Sequence, residues 1–275
     1  MQLFFRTVGE GEAIVILHGL YGSSDNWYTI AKHLSGKFKV YLPDLRNHGR
    51  SPHISSHTFD DMAADLEEFF DQQQLEKAHI IGHSMGGKVA MLFALRYPQK
   101  VNKLIVVDIA PREYISLREP NDHVLQHMNI IQAYAAVDPS AYSSRNEVEQ
   151  VFSQYIADER IRQFLLKNLV RDEHGHFRWQ INVAALRQNL PALMAKINIP
   201  DTARIQVPAL FIKGERSNYL LPGDFEQIKQ IFPQAEFCII PAAGHWVHAE
   251  QQDLFLQKIQ EFLTRPSDHF SYRDS

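Results

Sequence analysis

The sequence predicts an α/β protein built on a mostly parallel, doubly wound sheet, and three observations carry that expectation. Short runs that are apolar throughout, such as Ala13 to Leu17 (AIVIL), suit strands buried on both faces of a sheet. Longer amphipathic stretches separate these runs, as crossover helices would. The alternation stops between about Pro111 and Pro200 and resumes at Ile205, which marks an insertion of different character within one sheet.

Taken in order, Ala13 to Leu17 is followed by a second strand candidate at Phe38 to Leu42. Asp60 to Phe70 carries Met62, Leu66, Phe69 and Phe70 at helical spacing, with acidic residues on the other face. Ala78 to Ile81 is a third strand, and Lys88 to Arg96 reads as a helix buried on most of its circumference. Leu104 to Val107 is a fourth strand. The insertion is helical from Asn121 through Asn168, turns at the polar stretch Arg171 to His176, and is helical again, with no strand of convincing length. Val207 to Ile212 and Glu236 to Ile240 complete the strands, and the polar Ser267 to Ser275 is expected to fray. With no internal repeat or linker, the chain is one domain: residues 1–110 and 201–275 form the core and 111–200 the helical insertion.

Composition narrows the function classes. Of 275 residues, 45% are hydrophobic and 22% charged, the balance of a soluble globular chain with a sizeable core. The net charge of −4, without a basic stripe, argues against a nucleic-acid partner. The start, Met1 to Arg6, lacks signal-peptide character, and no apolar stretch reaches the length of a membrane span, so a cytoplasmic location is expected. The single cysteine, Cys238, excludes an intramolecular disulfide and reads as a packed core residue.

The chemistry centres on Gly82-His83-Ser84-Met85-Gly86, a G-x-S-x-G motif between a strand and a helix. That turn lifts a serine above the sheet edge and sets it at a helix N-terminus, where free N–H groups favour negative charge. Ser84 is therefore the candidate nucleophile. A serine needs a base. His245, in the small-residue loop Pro241 to Trp246 after the last strand, is the candidate, because Gly244 supplies the turn while His248 falls near the following helix. The remaining histidines, His174 and His176 included, show no metal spacing and read as solvated; no metal or organic cofactor is expected. An oxyanion hole needs two amides aimed at the developing charge. Met85, after the nucleophile, and Leu20, in the loop His18 to Gly22, are the candidates.

The acid that should orient His245 is displaced. Its usual place, the loop after the penultimate strand, reads Lys213-Gly214-Glu215-Arg216-Ser217-Asn218, with Ser217 at the acid's position. Three carboxylates compete. Glu215 belongs to the turn, Asp224 reads as a helix N-cap with Gln227 completing a capping box, and Asp108 ends the Leu104 to Val107 strand at the catalytic edge. Asp108 is favoured, with Asp224 as the alternative.

Taken together, the stretches His18 to Ser23, Asp44 to Gly49 (DLRNHG), Gly82 to Lys88 (GHSMGGK), Val107 to Pro111 (VDIAP) and Ala243 to Ala249 (AGHWVHA) resemble those of the α/β-hydrolase superfamily, and within it the YbfF-type esterases and thioesterases and their mitochondrial relatives. The resemblance implies the α/β-hydrolase fold, with a helical cap inserted after the sixth strand. It implies esterase or thioesterase activity, acyl-CoA being one possible substrate, with neither metal nor cofactor. It also implies the acid at Asp108, supported by a hydrogen bond from Ser217. Those relatives tend to carry Gly-Gly-Asn-Ser where this chain has Gly-Glu-Arg-Ser. Arg46, Asn47 and His48 fall near the site in the family pattern and read as a structural turn.

The expected reaction is acyl transfer to water, with a small acyl ester or thioester as the partner molecule and an apolar acyl pocket roofed by Phe152, Tyr155, Phe164, Leu165, Leu169 and Trp179. Two other readings fit the same motifs: hydrolysis or lysis of a C–C bond on this fold, and a non-catalytic binding protein, against which an intact Ser84 and His245 count. The sequence leaves the oligomeric state open.

Overall fold

A computed structural model describes residues 1–114, 122–200 and 202–266, so the expectation for Ser267 to Ser275 falls outside the described residues. The chain begins with β1 (Phe5–Val8) and β2 (Glu12–Leu17), then α1 (Tyr28–Leu34), β3 (Phe38–Pro43), α2 (Phe59–Gln72), β4 (Ala78–His83), α3 (Met85–Arg96) and β5 (Val101–Val107). After the insertion come β8 (Ala209–Gly214), α8 (Phe225–Ile231), β9 (Ala235–Ile240), α9 (Val247–Glu250) and α10 (Gln252–Thr264). Seven strands form one sheet in the order β1-β3-β2-β4-β5-β8-β9, parallel except for β1.

The apolar runs are buried on both faces because successive side chains alternate. Ile14 and Ile16 join Trp27, Ile30, Phe255 and Ile259 on one side of the sheet. Val15 and Leu17 join Leu66, Phe69 and Val89 on the other. α2 is capped by Thr58, whose hydroxyl accepts the Asp61 N–H while Asp61 reaches back to the Thr58 N–H. This box and the Met62/Leu66/Phe69/Phe70 stripe explain why the helix forms where the periodicity predicted it.

The insertion carries α4 (Asp122–Ala136), α5 (Arg145–Phe152), α6 (Glu159–Leu165), a short hairpin of β6 (Leu169–Arg171) and β7 (Phe177–Trp179), and α7 (Val183–Met194). It follows β5, the fifth strand in chain order rather than the sixth, because the stretch before Ser24 supplies two strands and no more. The hairpin corrects the expectation of an insertion without strands. Its three-residue arms are too short to show an alternating pattern, and Asp172 closes the turn by accepting the His174 and His176 N–H groups. Cys238 is half-buried rather than part of the core, since β9 is the sheet's edge and its neighbour Ile239 is exposed. Among the described residues, no helix is long and apolar enough to cross a membrane.

Candidate active site

The loops that leave the C-terminal ends of the parallel strands converge above β4. Ser84 follows β4 directly and caps α3, with φ 51° and ψ −117°. A Cβ on Gly82 would lie 2.3 Å from the Gly86 carbonyl oxygen, so the elbow closes only around glycine there. Strained backbone gathers at this edge: Tyr21, Ser84, Asp108 and Ala242 all have positive φ without being glycine. Gly19 lets the β2 loop pass within contact of the Ser84 Cβ. Among the described residues, neither the Leu20 nor the Met85 N–H donates to another protein group.

Asp108, at the end of β5, is fully buried. Its Oδ2 lies 2.8 Å from His245 Nδ1 and also accepts the Ser217 hydroxyl, while Oδ1 accepts the Gly214 N–H at 3.0 Å. Burial pushes the Asp108 carboxyl up to about 7, against the pull of those two hydrogen bonds. Burial also pushes the His245 imidazole down to about 3, which keeps the ring neutral and able to accept a proton at Nε2. Ser84 and His245 line one cavity of about 70 Å³ with Leu20, His127 and Phe164.

The structure thus gathers Ser84, His245, Asp108, Ser217, Leu20 and Met85 at one edge. Asp224 stands apart from the pair: it accepts the Leu221 N–H at 2.8 Å and pairs with Arg112 at 3.0 Å. It occupies the N-cap position of α8 but makes no side-chain bond to that helix, so the expected box with Gln227 does not form. His248 lies on α9 and stacks on Trp27, with ring centroids 4.0 Å apart. Of the residues expected to roof the acyl pocket, Phe164 and Leu165 line the cavity. Phe152 and Trp179 instead pack on Tyr134 inside the insertion, Leu169 joins the same core, and Tyr155 faces solvent. Apolar character marked burial for all but Tyr155, without telling which face of the insertion each residue occupies.

The Arg46-Asn47-His48 turn is structural. Arg46 pairs with Asp65 in the interior. His48 Nε2 accepts the Tyr21 N–H at 3.1 Å and so holds the loop carrying Leu20. Asn182, in the insertion, donates to Asn47 Oδ1 at 3.0 Å. His83, the second residue of the motif, binds the His245 carbonyl at 2.9 Å and steadies the histidine loop.

Three residues of the site escaped sequence reasoning. His127, on α4, lies 3.3 Å from the Tyr21 hydroxyl and 3.1 Å from that of Tyr219. Its i, i+4 spacing from His123 was the available signal. Tyr219 stacks on His245 with centroids 3.8 Å apart. Lys88 lines a second small cavity behind Ser84, donates to the Ala195 carbonyl at 2.7 Å, and is pushed down to about 7 by burial. No sequence pattern announces a buried lysine on a helix that reads as apolar.

Comparison with known proteins agrees with this fold. The alpha/beta hydrolase fold family matches residues 12–141. Esterase YbfF of Escherichia coli (strain K12) is 37% identical over 250 residues, covering 91% of this chain and 92% of its own length. The sn-1-specific diacylglycerol lipase ABHD11 of Danio rerio is 36% identical over 263 residues, covering 94% of this chain and 80% of its own. A solved marine microorganism esterase superposes with a TM-score of 0.91 at 50% identity, covering 95% of this chain and 99% of its own. The chain belongs to the α/β-hydrolase family. Within that family it is a hydrolase of the carboxylesterase class, similar throughout to esterases and lipases.

Proposed function

We propose that the chain hydrolyses carboxylic esters and acyl thioesters, acyl-CoA among them, through an acyl-enzyme on Ser84. The observation that carries this reading is the 2.8 Å contact between Asp108 and His245 Nδ1, which leaves Nε2 free in a ring that lines one cavity with Ser84. In the first step the Ser84 Oγ attacks the acyl carbonyl and its proton passes to His245 Nε2. Asp108 stays anionic and stabilises the imidazolium. The Leu20 and Met85 amides receive the oxyanion. His245 then returns the proton to the departing alcohol or thiol, activates water, and the acid leaves. Ser217 holds the Asp108 carboxylate toward the ring, and residues 111–200 act as a cap over the acyl group.

A panel of p-nitrophenyl esters and acyl-CoAs of increasing chain length tests this reading. Wild type is expected to hydrolyse members of both classes, and Ser84→Ala to lose the activity. Full activity in Ser84→Ala would sink the proposal, and turnover of esters alone would remove thioesters from it.

A further inference from the structure

We infer that Tyr219 is a positioning residue for this reaction: its ring is an aromatic platform that stabilises His245 when the imidazole becomes charged. The inference rests on the proposed function and concerns the loop that has lost its acid.

Moving the acid to Asp108 frees the loop after β8 for another task. Ser217 in that loop binds the carboxylate, and Tyr219, two residues on, reaches the ring of the same pair. The Tyr219 and His245 rings are 3.8 Å apart and 23° from parallel. A cation over a tyrosine face is held by the ring's negative π-cloud, more strongly where water is excluded, and Tyr219 is 6% exposed. His245 is neutral at rest and cationic in the transition state, so the interaction strengthens as the barrier is climbed and acts on kcat.

Tyr219 is fixed from every side, as a platform must be. Its N–H donates to Ser217 Oγ at 3.2 Å, and its carbonyl accepts the Tyr114 hydroxyl at 2.5 Å. Its own hydroxyl pairs with His127 of the insertion at 3.1 Å, and the His123 and Tyr219 ring centroids are 3.8 Å apart. The insertion therefore helps to set the ring against which the base works. Other ionisable groups around His245 are Asp108 at the end of β5, His83 in the elbow, His123 and His127 on α4, and His248 on α9. Lys213 on β8 is committed to the carbonyls of Gly214, Glu215 and Ser217.

The test uses the full chain and a short-chain p-nitrophenyl ester that wild type hydrolyses and Ser84→Ala does not; failure of that first condition would strike the proposed function, not this inference. Tyr219→Leu is expected to lower kcat about 30-fold, the equivalent of about 2 kcal/mol, with KM within about twofold. Loss of the cation's partner should also move the acid limb of kcat/KM to lower pH. Tyr219→Phe keeps the platform and should retain about a third or more of kcat. To separate loss of the platform from any unfolding of the loop by leucine, phenylalanine and its mono-, di- and trifluorinated analogues placed at position 219 provide a series of conserved shape. Fluorination drains the ring face, so kcat should fall stepwise along it. A flat fluorination series, or equal losses in Leu and Phe with no movement of the acid limb, would overturn the inference.

Discussion

Asp108 sits at the end of β5 with φ 54°, a conformation few aspartates adopt, and holds His245, Ser217 and the Gly214 amide at once. Replacing it with Asn keeps the shape but removes the charge that stabilises the imidazolium. We expect Asp108→Asn to lower kcat/KM by about 10⁴-fold, whereas Asp224→Asn, far from His245 in its bonding, stays within about threefold; the reverse ranking would return the acid to Asp224. The pH profile follows from the Asp108–His245 pair as a unit. Burial lowers the His245 imidazole from the ordinary 6.5 but raises the Asp108 carboxyl to about 7, so the pair takes up its first proton near that value. The acid limb of kcat/KM in wild type should lie near pH 7, and a limb below pH 5 would contradict this. Sequence reasoning singled out Ser84, His245 and Asp108, which the structure brings to one edge, because each has a positional signature: an elbow motif, the last loop, a strand end. It passed over Tyr219 and His127 because their place is set by stacking and contacts between distant segments, for which one chain carries no local mark.

The β4–α3 elbow illustrates what glycine does at the level of an element. A Cβ on Gly82 would meet backbone of the following turn, which cannot yield without moving α3 and the Ser84 it carries. Gly82→Ala should destabilise the protein by about 1–3 kcal/mol and reduce activity with it. Gly36→Ala, where nothing lies within 4 Å, should change the denaturant midpoint little. Equal midpoints for the two variants would show that the elbow adjusts more freely than its packing implies. The core strands and helices were legible because fully apolar runs and a 3.6-residue stripe each admit one burial pattern. The β1 strand was not, since Phe5–Val8 pairs antiparallel at the sheet's edge and is only partly buried. The β6–β7 hairpin was too short to register.

For the molecule as a whole, the insertion shares a hydrophobic cluster with the core and is also held to it by polar ties. Asn182 donates to Asn47 Oδ1 and to the Ile54 carbonyl at 3.1 Å, and its N–H binds the Asn47 carbonyl at 2.9 Å. Asn168 donates to the Tyr21 carbonyl at 2.8 Å, and Phe164 packs on Trp246. These ties meet the loops that carry Leu20 and His245, so the insertion and the catalytic edge should stiffen together. Asn182→Ala removes two donated hydrogen bonds across the junction and the N-cap bond that Asn182 accepts from the Ala185 N–H, and should lower stability by about 1–3 kcal/mol, read as a lower denaturant midpoint at unchanged slope; an unmoved midpoint would mean the backbone pairing alone holds the junction. The R-N-H turn, read from the sequence as structural, is half of this junction, and its partner at Asn182 lies 135 residues away, beyond the reach of any motif.

The acyl-enzyme on Ser84 is tested most directly by labelling the intact protein with a fluorophosphonate and weighing it by mass spectrometry. One adduct is expected per chain, mapping to the peptide that contains Ser84 and missing from Ser84→Ala. An unlabelled wild type, or a label that persists in Ser84→Ala, would contradict the assignment.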